Sequence, residues 1–349
     1  MNKVFEININ ERSRVPKYKQ VIDSIINDIS TGVLPVGEKI PSINELSELC
    51  YLSRDTVEKA YRQLKERKII VSAPGKGFYI AKSDNIAQIN ILLMVNKPSY
   101  YKMMVYNSFA DAVGLEANVT MCVFHNDEVL FLNTLEQGLH TYDFFVIQPH
   151  FRDKNMNHVC FTNKVVRMLD AIPRDKLLLL DNTKPGIRGR YSAISQDFKN
   201  DIYYALLEGL DKIRKYDKII LVYPRKIINP YPLGILEGFK TFCADHHLDY
   251  EILSEIYDDM ELQNQKDVYV TIQERDLVNL VRQVNKESLT LGKDLGIISY
   301  NETPLKELLG ITVISTDFKA MGEAAADMFA NKKKEQIKNP FYYIERNSL

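Results

Sequence analysis

Residues 18–80 carry three amphipathic helical patterns and a tight hairpin with almost no connecting chain between them, and that order leaves few folds open. In YKQVIDSIINDISTG, Val21, Ile22, Ile25, Ile26 and Ile29 fall on one face at helical spacing, with Gly32 where a C-terminal cap is expected. Pro35 and Gly37 break the chain. Ser42, followed three residues later by Glu45, is a capping box that opens a second helix with Ile43, Leu46 and Leu49 on its apolar side. Ser53 then caps a third helix, which turns Val57, Ala60, Tyr61 and Leu64 inward and Arg54, Asp55, Thr56, Glu58, Lys59 and Arg62 outward. The β-rich runs KIIVSA and GFYIA flank PGKG, which predicts a hairpin with its tip at residues 74–77.

Two short helices joined by a tight turn, the second with polar and cationic residues at its start, form the pattern by which a recognition helix enters a DNA major groove. Arg54 and Thr56 are the natural base readers, since Arg can bond two guanine acceptors and Thr offers a hydroxyl and a methyl. Gly75 and Gly77 let the backbone approach a phosphate closely, and Lys76 between them supplies charge. Charge is distributed to match. The whole chain carries −1, yet residues 1–82 hold 14 Lys and Arg against 10 Asp and Glu, a local +4. A single amphipathic helix with cations outside is ordinarily a solvated face. The complete order of helix, helix, helix and wing outweighs that reading.

Residues 18–80 resemble the winged-helix domain of the GntR family of bacterial transcription regulators. GVLPVGEKIPSINELSELCYLSRDTVEKAYRQLKERKIIVSAPGKGF is similar to the family's G-x-L-x-P-G-x-x-L-P-S segment, S-R-x-T-V helix start and G-x-G wing. The resemblance implies DNA contacts from Ser42, Ser53, Arg54, Thr56, Gly75, Lys76 and Gly77, to which Asn44 and Lys59 add from the same exposed faces. The chain departs from the family at Asn44 and Glu58, where arginine is usual, so weaker phosphate attraction and a shifted base preference are expected, toward adenine through Asn44.

After a polar link at 83–88 the texture changes. INILLMV, TMCVFH, DFFVIQ, KLLLLD, KIILVY, VYVTI and LGIIS recur at wide intervals, each a buried-strand pattern and most followed by a helical stretch, which predicts parallel sheets covered by helices. Ligands in such sheets sit at the carboxyl ends of the strands. The residues there include Ser99, Tyr100, Gln148, His150, Asp181, Tyr223, Arg275, Asp276, Asn301 and Glu302, a mixture of amides, carboxylates, hydroxyls and rings that suits a neutral polyhydroxylated ligand. Any one of them is as readily an ordinary loop residue.

Residues from about Ile89 to Phe341 resemble the two-lobed effector domain of LacI/GalR-type repressors and periplasmic sugar-binding proteins. YPLGILEGFKTF is similar to the R-x-x-G-F helix of that family, and LGIISYNETPLKELL with ITVISTDFKAMGEAAADMF to its V-V-G-Y-D-D-T-P segment and sequel. The resemblance implies that Asn301 and Asp181 take the places of sugar-binding aspartates and that Phe318 lies against the ligand, with Tyr231 opening the helix segment. The arginine of R-x-x-G-F is Ile235 here and the family's N-D pair is absent, so Arg275 and Asp276 are the candidates to replace those charges. Ile235 favours a ligand with fewer hydroxyls on that side, such as a pentose or deoxyhexose, and GntR domains joined to this sensor type include arabinose-responsive and fucose-operon regulators.

Other chemistries find little support. Cys50, Cys122, Cys160 and Cys243 lie far apart without ligand spacing, which suggests buried thiols and neither disulfides nor zinc. No nucleophile elbow is present, His246 and His247 fit a helix end better than a ligand pair, and KPGIRGR matches neither phosphate-binding glycine pattern. No cofactor, metal or enzymatic activity is expected. The absence of a long apolar window and of a secretory leader pattern points to the cytoplasm and to no membrane partner.

The expected fold is α/β, with an N-terminal winged helix-turn-helix over 1–82 and a two-lobed periplasmic-binding-like domain with parallel sheets over 89–349. The expected partners are operator DNA, a small sugar effector and a second copy of the chain, since two-fold symmetry doubles the operator contacts. Sugar binding would close the lobes and alter the separation of the winged helices. Two alternatives stand beside this reading: a ligand-blind dimerisation domain, and a sugar or nucleoside enzyme with an appended DNA module.

Overall fold

The computed structural model describes residues 7, 9–11, 13–30, 32–67, 69–81, 89–114, 117–182, 187–262 and 266–349. The expected link at 83–88 and residues 184–186 of KPGIRGR lie outside the described residues. The chain forms two compact units, the second covering Ile89–Val113 and Ala117–Leu349.

The first unit runs α1 (Lys17–Ser30), β1 (Lys39–Ile40), α2 (Ile43–Leu49), α3 (Arg54–Glu66), β2 (Ile70–Ala73) and β3 (Gly77–Ile80). Val21, Ile22 and Ile25 of α1, Leu46 of α2 and Val57, Ala60, Tyr61 and Leu64 of α3 share one core with Ile40, Ile70 and Ile80. Gly32 ends the first helix with φ +72°, a conformation that costs glycine nothing. The capping box at α2 forms as expected, with Ser42 Oγ accepting from the Glu45 amide and the Glu45 carboxylate accepting from the Ser42 amide. Leu49 departs from expectation and is exposed. At ~100° per residue, positions 43, 46 and 49 drift round the helix by about 60° a step, so in a seven-residue helix the third leaves the stripe.

In the wing, β3 pairs antiparallel with both β1 and β2. Its tip is a turn in which Lys76 N–H donates to Ala73 C=O at 2.9 Å, with Pro74 second and Gly75 (φ +71°) third, the residue choice of a type II turn. Tyr61 ties the unit together, donating its hydroxyl to the Pro41 carbonyl at 2.7 Å and meeting Phe78 edge-on at 4.9 Å.

The second unit begins β4 (Ile89–Val95), α4 (Tyr100–Val113), β5 (Ala117–Val123), α5 (Glu128–Gly138), β6 (Phe144–Ile147), β7 (Phe151–Arg152), β8 (His158–Val159), α6 (Asn163–Ala171), β9 (Leu177–Asp181) and β10 (Ser192–Ser195). It continues α7 (Phe198–Glu208), α8 (Leu210–Ile213), β11 (Lys218–Val222), α9 (Leu233–Asp245), β12 (Tyr250–Leu253), β13 (Asp267–Thr271), α10 (Glu274–Lys286), β14 (Gly296–Tyr300), α11 (Pro304–Leu308) and β15 (Thr312–Thr316). It ends α12 (Phe318–Ala330), β16 (Gln336–Lys338) and β17 (Phe341–Ile344).

Among the described residues these strands build two six-stranded sheets, ordered β16-β10-β9-β6-β4-β5 and β12-β11-β13-β14-β15-β17. Every pairing is parallel except β15 with β17. Central strands such as LLLLD and TVIST are buried throughout, as helices on both faces require. The chain passes between the lobes three times, after β10, after β15 and after β16. The first passage sends α7 onto α9 of the second lobe, and the second returns α12 onto α4 of the first. The short strands β10, β12, β16 and β17 were not among the expected runs.

Candidate functional site

In the first unit the expected DNA face is laid out by α2, α3 and the wing. Asn44 and Arg54 are exposed at the starts of the two helices. Ser53 caps α3 by accepting from the Thr56 amide, and the two hydroxyls lie 2.7 Å apart, which holds Thr56 at the helix start. Lys59 is exposed on α3 but leans over the Tyr18 ring, its ammonium 4.1 Å from the centroid. At the wing tip Lys76 is exposed between Gly75 and Gly77, both with positive φ, and a Cβ added at Gly77 would lie 3.1 Å from Lys39 Cε.

The second unit has a more elaborate arrangement at the carboxyl ends of its strands. Asp181 ends β9 and Asn301 follows β14, one in each lobe, and both have a left-handed backbone, φ +69° and +64°. Non-glycine residues in that region cluster at functional sites. Asp181 is 1% exposed, and its Oδ2 accepts from Lys102 Nζ at 2.7 Å and bonds His150 Nε2 at 2.9 Å, while its Oδ1 accepts from Gln196 Nε2 at 2.6 Å. Burial alone would raise its pKa, but the Lys102 ammonium and the His150 bond outweigh that and hold the carboxyl well below the usual range. The opposite nitrogen of His150 lies 2.7 Å from His158 Nε2.

Buried amide atoms without hydrogen-bond partners occur at these strand ends. They are both side-chain heteroatoms of Gln148 after β6, Oδ1 of Asn96 after β4 and Oδ1 of Asn301 after β14. Buried polar atoms are nearly always paired, so these four unpaired amide atoms at the carboxyl ends of parallel strands single out that end of the sheets.

The two lobes meet across this region. Lys97 reaches over the Tyr231 ring at 4.9 Å, Arg152 Nη1 donates to the Ile228 carbonyl at 3.1 Å, and Lys306 Nζ donates to the Tyr101 hydroxyl at 3.4 Å. Lys306 is 1% exposed and also donates to the carbonyls of Tyr300 (2.9 Å) and Asn301 (2.8 Å). Burial pushes the ammonium groups of Lys97 and Lys306 down to about 8. Neither forms an ion pair among the described residues.

The remaining expected residues divide. Phe318 is buried and stacks on Tyr101 at 5.1 Å, and Tyr100 is exposed beside it. Ser99 is occupied in accepting from the Lys102 amide. Asp276 is bonded through one oxygen, its Oδ1 accepting from the Ile256 amide at 3.1 Å while its buried Oδ2 has no partner, and Arg275 is exposed on α10. Ile235 sits in the core of the second lobe. Residue reading passed over Lys97, Tyr101, Lys102, Gln196 and Lys306. Lys97 lies in the loop after β4, where the strand-end rule points, while nothing in the sequence separates Lys306 from an ordinary helical lysine.

Of the cysteines, Cys243 is buried and Cys50, Cys122 and Cys160 are only partly so, all four as free thiols. His246 caps the end of α9 and His247 follows with φ +53°. No helix among the described residues is long and apolar enough to cross a membrane.

Residues 17–80 match the model of the bacterial regulatory proteins, gntR family. The HTH-type transcriptional repressor YtrA of Bacillus subtilis is 35% identical over 77 residues, which are 22% of this chain and 59% of that protein. The mannosyl-D-glycerate transport/metabolism system repressor MngR of Escherichia coli is 38% identical over 65 residues, 19% of this chain and 27% of that protein. The chain therefore spans well under two thirds of the length of these relatives. The trehalose repressor from Escherichia coli covers 74% of this chain with 100% of its own, at a TM-score of 0.58 and 14% identity, which is a likeness of fold alone. The chain thus joins a segment that matches the gntR family of bacterial regulatory proteins, residues 17–80, to a two-lobed α/β unit that shares the fold of the trehalose repressor.

Proposed function

We propose that this protein regulates transcription of carbohydrate-utilisation genes in the cytoplasm, binding operator DNA through residues 1–82 and a small sugar between the lobes of residues 89–349, and that it acts as a homodimer. The observation that carries the effector reading is the pairing of Asp181 and Asn301, left-handed residues at matching strand ends of the two lobes, with unpaired amide atoms of Gln148 and Asn96 at the neighbouring strand ends of the first lobe. Amides and carboxylates of this kind bond hydroxyl pairs, and Tyr101, Tyr231 and Phe318 supply ring faces. Binding between lobes favours the closed form, and a hundredfold change in operator occupancy requires a preference of about 2.7 kcal/mol for one form.

A second reading of the ligand has its own support. The half-buried ammonium of Lys97 lacks an ion-pair partner among the described residues, which favours a sugar bearing a phosphate or carboxylate over a neutral one. The ligand-blind alternative is disfavoured by the orphaned amides, which a pure dimerisation domain has no reason to keep.

A thermal-shift screen of the full chain against pentoses, hexoses, deoxyhexoses and their phosphates tests both readings, because a ligand of the folded state raises the melting temperature by mass action. One selective sugar whose shift disappears in Asn301→Ala supports the proposal. A neutral sugar binding more tightly than its phosphate removes the second reading. No shift with any compound, in a folded protein, removes the sugar effector.

A further inference from the structure

Two residues after His158, Cys160 comes back to the same place. His150 follows β6, and β7 and β8 then form a small antiparallel hairpin that sets His158 opposite Arg152. Its turn is held by Asp153 Oδ1, which accepts from the amides of Asn155 and Asn157 at 2.8 Å each. The hairpin thereby carries His158 back over His150, and because side chains alternate along extended chain, Cys160 emerges on the same side as His158. The Sγ lies 3.9 Å from the His158 ring nitrogens, and one ligand atom from each of His150, His158 and Cys160 falls within 4.8 Å of the others.

We propose that His150 Nδ1, His158 Nε2 and the Cys160 thiolate bind a thiophilic divalent transition-metal ion of the zinc class. The inference shares Asp181 with the sugar reading but does not rest on it. Two imidazoles and a thiolate are a zinc ligand set, and three protein ligands leave one coordination position for water or a ligand atom. Asp181 supplies the outer support such sites use. Its carboxylate holds the Nε2 proton of His150 at 2.9 Å, which leaves the Nδ1 lone pair facing His158, and Lys102 and Gln196 fix the carboxylate in turn.

The metal-free contact has a defined proton arrangement. With the His150 Nε2 proton assigned to Asp181, the 2.7 Å contact requires His158 Nε2–H to donate to His150 Nδ1. On binding, His158 moves that proton to its Nδ1 and Cys160 releases its own to solvent, so one proton leaves per ion. Zn–N of ~2.0–2.1 Å and Zn–S of ~2.3 Å put tetrahedral ligand atoms about 3.3–3.6 Å apart, so His158 retreats by about 0.6 Å and Cys160 turns inward.

The full chain, stripped with chelator and kept reduced with a phosphine, would be titrated with Co²⁺ and then with Zn²⁺ against a chromophoric chelator. One equivalent of Co²⁺ with intense tetrahedral ligand-field bands and a thiolate charge-transfer band, displaced by Zn²⁺, is the expected result. Cys160→Ser should lose the charge-transfer band and His158→Gln should weaken binding at least about tenfold, while Asp181→Asn keeps the band with affinity lower by about 10- to 100-fold. Circular-dichroism melts establish that each variant folds. No binding, a weak octahedral spectrum, or binding unchanged in folded Cys160→Ser and His158→Gln would overturn the site. Loss of binding only in His246→Gln/His247→Gln would overturn it equally.

Discussion

Single side chains in this protein are poised by what surrounds them, and the buried lysines show it most directly. Lys97 and Lys306 have folded pKa values near 8 against an ordinary 10.5, because burial disfavours the charged form and Lys102 adds repulsion at Lys97. Between those two pH values the unfolded chain binds more protons than the folded one, so stability rises with pH, and below about 8 the burial cost is constant. Urea unfolding from pH 7.5 to about 9.5 should therefore show a rise that flattens in Lys97→Met/Lys306→Met; parallel curves for the two proteins would contradict the burial seen here. In the first unit, Arg54→Ala should weaken operator binding by about 1–3 kcal/mol and relax base preference at one position, measured by fluorescence anisotropy. Ser53→Ala instead removes a cap, with a cost of about 1 kcal/mol in unfolding free energy. A similar binding loss from both substitutions, with no change in stability for Ser53→Ala, would mean that Ser53 reads DNA rather than caps α3.

At the scale of elements, each lobe owes one helix pair to a glycine. A Cβ at Gly238 on α9 would lie 2.1 Å from the Lys199 carbonyl of α7, and one at Gly322 on α12 would lie 2.6 Å from the Val105 carbonyl of α4. Backbone cannot give way as a side-chain tip can, so Gly238→Ala and Gly322→Ala should each destabilise the second unit by at least the ~1–3 kcal/mol of core overpacking. Chemical denaturation checks this, and loss of less than about 0.5 kcal/mol for either would show that the pair can separate. The hairpin of β7 and β8 is the contrasting case. It is too short to read from pattern, yet it decides that His150, His158 and Cys160 meet.

For the molecule as a whole, the connection between candidate site and hinge passes through Gln196. Its Nε2 donates to Asp181 at 2.6 Å, and its Oε1 accepts from Thr316 Oγ1 at 2.5 Å. Gln196 lies on the first passage between the lobes and Thr316 on the second, so one side chain touches the site and both passages. Gln196→Ala should leave operator affinity of the ligand-free protein within about threefold while shrinking the effector-induced change from about 100-fold toward tenfold, a loss of ~1.4 kcal/mol of coupling. Operator titrations with and without effector test this; an undiminished effector response would place the coupling elsewhere. Asp181 and Asn301 are singled out in the sequence by strand-end position and family likeness together, and Phe318 by the likeness alone. Lys306 and Gln196 were not, because their importance comes from partners far away in the chain, Tyr101 at 205 residues and Thr316 at 120.

The winged helix was determined by the sequence nearly residue by residue, since caps, a turn and a period act over three or four positions: the capping box at Ser42, the cap at Ser53 and the Pro74-Gly75 turn all appear as written. Alternating buried strands likewise determined parallel sheets covered by helices, while the two lobes were implied by the likeness to LacI/GalR-type effector domains. Only the tertiary structure decided that Asp276 serves the Ile256 amide, that Lys306 is buried, and that Cys160 stands beside two histidines. The reason is range. Hydrogen bonds within a turn are set by neighbours in sequence, whereas burial, ion pairing and ligand geometry are set by which strands the sheet places side by side.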